Sequence, residues 1–240
     1  MANFKTHFTV AAMVSGGLAA SLFAVGRVAP DEVWALFALG TVGGILPDLD
    51  SDQSTPAQIL FACLGVLLAF LTLFALGAGR SIMELLALLV LVFVLVRYLL
   101  GYLFARWTTH RGIFHSLIAA AFFGLATAAV ANRFLGQPAQ HAWLCGAFLA
   151  LGYTLHLALD EIYAVDLGNR AFGRSFGSAL KPFDLGNWRT SAAMALGALA
   201  AFLAAPDADG FLAVYGSPGV YADIYDRFFP GGGLPLLGGR

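Results

Sequence analysis

Residues 82–105 read I-M-E-L-L-A-L-L-V-L-V-F-V-L-V-R-Y-L-L-G-Y-L-F-A, an apolar run broken only by Glu84 near its start and Arg97 toward its end. A bilayer core of ~30 Å is crossed by about 20 residues of helix, so this run is long enough to span. Hydrocarbon offers backbone groups no partner, which leaves a helix as the form that satisfies them within one segment. Working outward, similar runs cover Phe8–Val25, Val33–Leu46, Ala57–Ala78, Ser116–Phe134, Ala142–Leu159 and Thr190–Ala205. The expected fold is all-α, a polytopic membrane helical bundle with six or seven transmembrane helices. The second and seventh runs are short for a span. Gly40, Gly43 and Gly44 in the second permit close helix packing in lipid, as a tilted span or a re-entrant segment. Lys5 alone before the first run, without a small-residue cleavage site, fits a retained helix rather than a signal peptide.

Composition agrees. Apolar residues make up 60% and charged residues 11%, against about 45–50% and about 25% in soluble domains. A formal net charge of -1 provides no basic field to recruit nucleic acid, so no specific nucleic-acid binding is expected. Cys63 and Cys145 stand alone inside apolar runs, where a buried, inert thiol is expected. No repeat and no second soluble domain is visible; residues 1–205 read as one membrane-embedded domain and 206–240 as a Gly/Pro/aromatic tail. Its Phe211, Tyr215, Tyr221, Tyr225, Phe228 and Phe229 are too many aromatics for a disordered segment and suit an outer membrane interface.

The ionisable residues that remain are grouped. His7 precedes the first run, Asp48, Asp50 and Asp52 close the second (L-P-D-L-D-S-D), His110 and His115 open the fifth (T-H-R-G-I-F-H-S), and His156 and Asp160 close the sixth (H-L-A-L-D). With the N-terminus cytoplasmic and all seven runs spanning, Lys5, Arg106, Arg111, Arg170, Arg174, Lys181 and Arg189 face the cytoplasm. Arg27, Arg80 and Arg133 face outward, as the positive-inside rule requires. The same parity puts all four groups on the cytoplasmic side and His141 on the other. His156 and Asp160, four apart, share a helix face. Gly112 suggests a turn between His110 and His115, with a helix starting near His115. Asp48 and Asp50 flank Leu49 after Pro47, where a short extended turn would aim both carboxylates alike.

Taken singly, a His or Asp at a helix end reads first as a cap or an interfacial residue; Asp52, Glu161 and Asp166 fit that description. Four groups on one face argue for more, because ionisable groups at bilayer depth are expensive and tend to be functional. His7, His115, His156 and Asp160 read as metal ligands. A mixed His/Asp set suits zinc, manganese or iron.

T-H near the N-terminus, L-P-D-L-D-S, H-R-G-I-F-H-S and G-Y-T-L-H-L-A-L-D together resemble, in order, the motifs of the YdjM-type family of bacterial inner-membrane proteins, described as metal-dependent hydrolases. The resemblance runs over roughly residues 1–182, and the family is in turn similar to zinc-dependent phospholipases C and single-strand nucleases. It implies that His7, Asp48, His115, His156 and Asp160 are metal ligands, with Asp50 and His110 next. It also implies a phosphoester or lipid substrate in the bilayer. Such a ligand set exceeds one tetrahedral site and suits two or three divalent ions, zinc first, with manganese or iron as alternatives. A spare carboxylate, Asp50, would act as base, and Arg111 or Lys181 would hold a nonbridging oxygen; Arg111 reads equally well as a topology anchor. Arg97 either snorkels or pairs with an acidic ligand or lipid phosphate. A metal-ion carrier or transporter, and a scaffold braced by a structural metal, are the alternatives from other classes.

Overall fold

The computed structural model describes residues 3–50, 55–76, 78–102, 113–166, 171–172, 180–184, 186 and 188–230. Helix α1 (Phe4–Ala24) starts where Asn3 accepts a hydrogen bond from the Thr6 N–H at 2.9 Å, satisfying a donor that every helix start leaves open. Gly26 turns the chain at φ 69°, a conformation that a residue without Cβ adopts freely. Helix α2 (Pro30–Gly43) follows, with Pro30 pre-set for the first helical position and Glu32 accepting the Ala29 N–H at 2.6 Å. A 3-10 turn, Leu46–Asp50, takes the place of the extended turn expected around Asp48. Two helices with a tight turn between them come next: α3 (Thr55–Leu76) and α4 (Ile82–Val94), the latter running on as a π-helical turn over Leu95–Leu100. Then come α5 (Leu117–Arg133), α6 (Ala139–Ala164), α7 (Trp188–Ala204), α8 (Asp209–Tyr215) and α9 (Pro218–Phe228). Two-residue strands β1 (Val165–Asp166) and β2 (Ala171–Phe172) form an antiparallel bridge, Val165 opposite Phe172. The remaining described residues are helices and the turns that join them.

Among the described residues, four helical stretches are long and apolar enough to cross a membrane, namely Phe4–Ala24, Ala57–Phe74, Ile82–Leu100 and Ala139–Ala164. A fifth is reached only if Trp188–Ala204 and Asp209–Phe228, bent by 94°, count as one. The reason for the shortfall against seven is length: α2 has 14 residues and α5 and α7 have 17 each, at or below the lower limit for a span. Helix α4 has no buried residue, and Ile82 and Met83 are about three-quarters exposed. Such surfaces are a liability in water and are what hydrocarbon covers.

Helix α6 is the centre, packing on α1, α2 and α5, while α5 also carries α7. Small residues bring the backbones together. A Cβ on Gly152 would overlap the Gly40 carbonyl, and one on Gly43 would overlap the Leu149 carbonyl, so α2 and α6 touch main chain to main chain in the manner of membrane helix pairs. The α3–α4 hairpin packs mainly on itself and on the 3-10 turn. Two apolar cores result, one at each end of α6. Tyr153, Leu157, Leu149, Ala119 and Leu46 form the first; Phe148, Leu36, Leu22, Val28 and Val220 belong to the second. Val220 comes from the aromatic tail, most of which folds into α8 and α9 and docks there. Trp143 Nε1–H donates to the Pro206 carbonyl at 2.9 Å and stacks on Phe211.

The thiols differ from each other. Cys145 is buried, as expected, but Cys63 is exposed among the described residues. Among the described residues, the Arg97 guanidinium donates to Gln58 Oε1 at 3.4 Å and lies 5.2 Å from the Tyr98 ring.

Candidate metal centre

The N-terminal end of α1, the C-terminal end of α2, the N-terminal end of α5 and the C-terminal part of α6 meet at one end of the bundle. His7 lies one turn into α1, Asp48 in the 3-10 turn after α2, His115 just ahead of α5, and His156 and Asp160 one turn apart on α6. Ser116 caps α5 by accepting the Ala119 N–H, and its hydroxyl donates to the Ile113 carbonyl. The first amides of α5 are held from outside: Leu117 N–H donates to the Lys181 carbonyl at 3.0 Å and Ile118 N–H to that of Pro182 at 3.3 Å. Tyr153 O–H donates to the Phe114 carbonyl. These contacts fix the turn that carries His115.

His7, His115, His156 and Asp160 are each no more than 3% exposed. His7 Nε2 lies 3.3 Å from Asp160 Oδ1, and His115 Nε2 lies 3.7 Å from Asp160 Oδ2. His156 Nε2 is 3.5 Å from Asp48 Oδ1 and 3.9 Å from Asp160 Oδ2. The His7 and His156 rings stack with centroids 3.7 Å apart. Two sets of donor atoms, His7/His156/Asp160 and Asp48/His115/His156, each lie within 4.8 Å of one another. Donors around one tetrahedral ion at about 2.0–2.1 Å are separated by about 3.4 Å, so the spacing fits a shared cation.

The tautomer of His156 is set by the fold. Its Nδ1–H donates to the Gly44 carbonyl at 2.8 Å, which turns the Nε2 lone pair into the cluster, the arrangement common behind metal-bound histidines. Among the described residues, His156 Nε2 and both Asp160 oxygens are buried without a hydrogen bond. Buried polar atoms are normally satisfied, and a cation would satisfy an acceptor-rich pocket of this kind. Asp160 is thus neither a cap nor a water-boundary residue.

Of the residues expected at the site, His7, Asp48, His115, His156 and Asp160 are brought together. His110, Arg111, Asp52 and the Asp50 side chain lie outside the described residues. Lys181 pairs with Asp184 at 3.4 Å and serves α5 through its carbonyl. His141 sits at the far end of α6, its Nδ1 3.0 Å from Glu32 Oε1. Sequence reasoning gave no role to the Gly44 carbonyl or to Tyr153, because neither a backbone acceptor nor a core tyrosine advertises its contact; the traces are Gly44 lying four residues before Asp48 and Tyr153 lying within the G-Y-T-L-H-L-A-L-D stretch.

The family model of the YdjM inner membrane protein matches residues 1–172, and the chain belongs to that family. No curated protein and no solved structure matches it.

Proposed function

We propose that this YdjM-family protein, seated in a lipid bilayer, is a metal-dependent hydrolase acting on a phosphoester, with phospholipid as the nearest supply. One observation carries the reading: three imidazoles and two carboxylates from four separate segments converge with their acceptor atoms turned inward. His7, Asp48, His115, His156 and Asp160 would hold the metal, zinc by donor chemistry, with manganese or iron as alternatives. When bound, a divalent ion supplies Lewis acidity and a water of lowered pKa. His156 Nε2 belongs to both donor sets while its Nδ1 is committed to Gly44, and the two Asp160 oxygens face different histidines, so these residues, with Asp50 and His110, would hold two or three ions. Asp48, with its side chain 18% exposed, marks the approach for substrate. Asp50 is proposed as the base that takes a proton from water, and Arg111 as the group that grips a nonbridging oxygen.

In this reading the protein is a multi-pass protein of the bacterial inner membrane. Helices α1, α3, α4, α5, α6 and α7 cross it, α2 is the short seventh segment, and the cluster faces the cytoplasm. Residues 1–205 form the membrane domain, to which 206–240 are appended.

A structural metal is the second reading, favoured by the near-complete burial of four of the five donors. One experiment separates the two. Detergent-purified wild type, His156→Ala and Asp160→Asn proteins are assayed for bound metal, then tested on a phosphoester and phospholipid panel with and without chelator. The hydrolase reading expects metal in the wild type alone and chelator-sensitive turnover. Full metal content in His156→Ala overturns the site; metal that raises only the melting temperature, with no turnover, leaves the structural role.

A further inference from the structure

The opposite end of α6 holds a second constellation, independent of the metal reading. His141 Nδ1 lies 3.0 Å from Glu32 Oε1, and His141 Nε2 lies 3.4 Å from the Cys145 thiol one turn along the helix. The two ring nitrogens face different partners, so the three side chains do not surround one ion. They form a line, carboxylate to imidazole to thiol, which is the order in which a nucleophile, its base and the group orienting that base are placed. Glu32 is itself held, because its Oε2 accepts the Ala29 N–H. The carboxylate keeps the His141 proton on Nδ1 and leaves Nε2 to accept from Sγ–H.

This line opens on a cavity of about 600 Å³ between α2, α5 and α6, lined by Leu39, Phe123, Val130 and Leu135 together with His141 and Cys145. The size is that of an ordinary ligand site. Its lining offers hydrocarbon contact and no cation, which suits an acyl chain and not a phosphate. Val130 and Leu135 at its mouth are 46% and 67% exposed, on the apolar surface that lipid covers, so a chain enters without crossing water.

We infer that Cys145, His141 and Glu32 form an acyl-accepting site, in which the Cys145 thiol takes a long-chain acyl group from an ester or thioester. The Cys145 sulfur bonds to the acyl carbonyl carbon as its proton passes to His141 Nε2. The carbonyl carbon then releases the donor's alcohol or thiol, to which His141 returns the proton. The products are S-acyl-Cys145 and the free alcohol or thiol, with no oxidant or reductant required. Cys145 and His141 are the catalytic residues, and Glu32 is a positioning residue.

The test incubates the full-length purified protein with palmitoyl-coenzyme A, and in a second arm with dipalmitoylphosphatidylglycerol vesicles, and follows hydroxylamine-reversible palmitoylation by intact mass and peptide mapping. Exposed Cys63 is the internal control. Acylation at Cys145 from either donor, at least about 100-fold faster than at Cys63, is expected; the productive arm identifies the acyl source. His141→Ala should slow it about 100-fold or more, as loss of a general base does. Glu32→Gln, which retains an acceptor for Ala29, should slow it about tenfold or more. Either variant suffices if the other does not fold. Equal rates at Cys63 and Cys145, unchanged rates in a folded His141→Ala or Glu32→Gln protein, or no mass gain from either donor overturns the inference.

Discussion

The two ends of α6 handle ionisable groups in opposite ways. At the far end charges are matched and partly wet: Arg27 meets Asp223 at 3.0 Å with both side chains more than a third exposed, and Glu32 meets His141. At the near end, His7, His115, His156 and Asp160 are dry, and among the described residues no lysine or arginine forms an ion pair with them. The first arrangement matches each charge with a partner. The second gathers acceptors at the expense of desolvation, which a bound cation would offset. The contrast separates paired charges from a candidate cation site at the two ends of one bundle.

The largest expected effect breaks the near end. Structural zinc contributes about 10–16 kcal/mol spread over four ligands, so one ligand accounts for roughly 2.5–4 kcal/mol. Asp160→Ala should therefore lower metal affinity by two to three decades, read by competition with a chelator of known affinity. His141→Ala, at the other end, should leave it unchanged. Gly152→Ala attacks the frame that holds both ends, since the new Cβ would meet the Gly40 backbone. We expect about 3 kcal/mol or more lost, seen as a fall in melting temperature and in the monodisperse fraction from size-exclusion chromatography. Tyr153→Phe removes the hydrogen bond that anchors Phe114, next to His115. A stability loss of about 1 kcal/mol with metal affinity down about tenfold is expected; stability loss with unchanged affinity would detach Tyr153 from the site. The smallest effect belongs to the far end. Arg27→Ala should cost at most about 1 kcal/mol, as exposed ion pairs do, and the loss should vanish in high salt, checked by thermal unfolding.

The amino-acid sequence by itself determined the helical class and the bilayer as solvent, and it singled out the side chains that the fold then brings together. Apolar runs near 20 residues have one stable form in hydrocarbon, and His7, Asp48, His115, His156 and Asp160 are conspicuous because little else in the chain is ionisable. Even the i, i+4 relation of His156 and Asp160 follows from helical geometry alone. Span count was less legible: α2, α5 and α7 lie at the limit where length ceases to decide, and neighbouring helices settle the matter. Tertiary structure alone decided that Asp160 stands between His7 and His115 rather than in water, and that Gly44 fixes the His156 tautomer. It also decided that His141 and Cys145 meet Glu32 from another helix, and that the aromatic tail folds into helices around Val220. Each of these joins residues far apart in the chain, and a pattern local to the sequence carries no term for them; the close packing of α2 on α6 further depends on glycines such as Gly152.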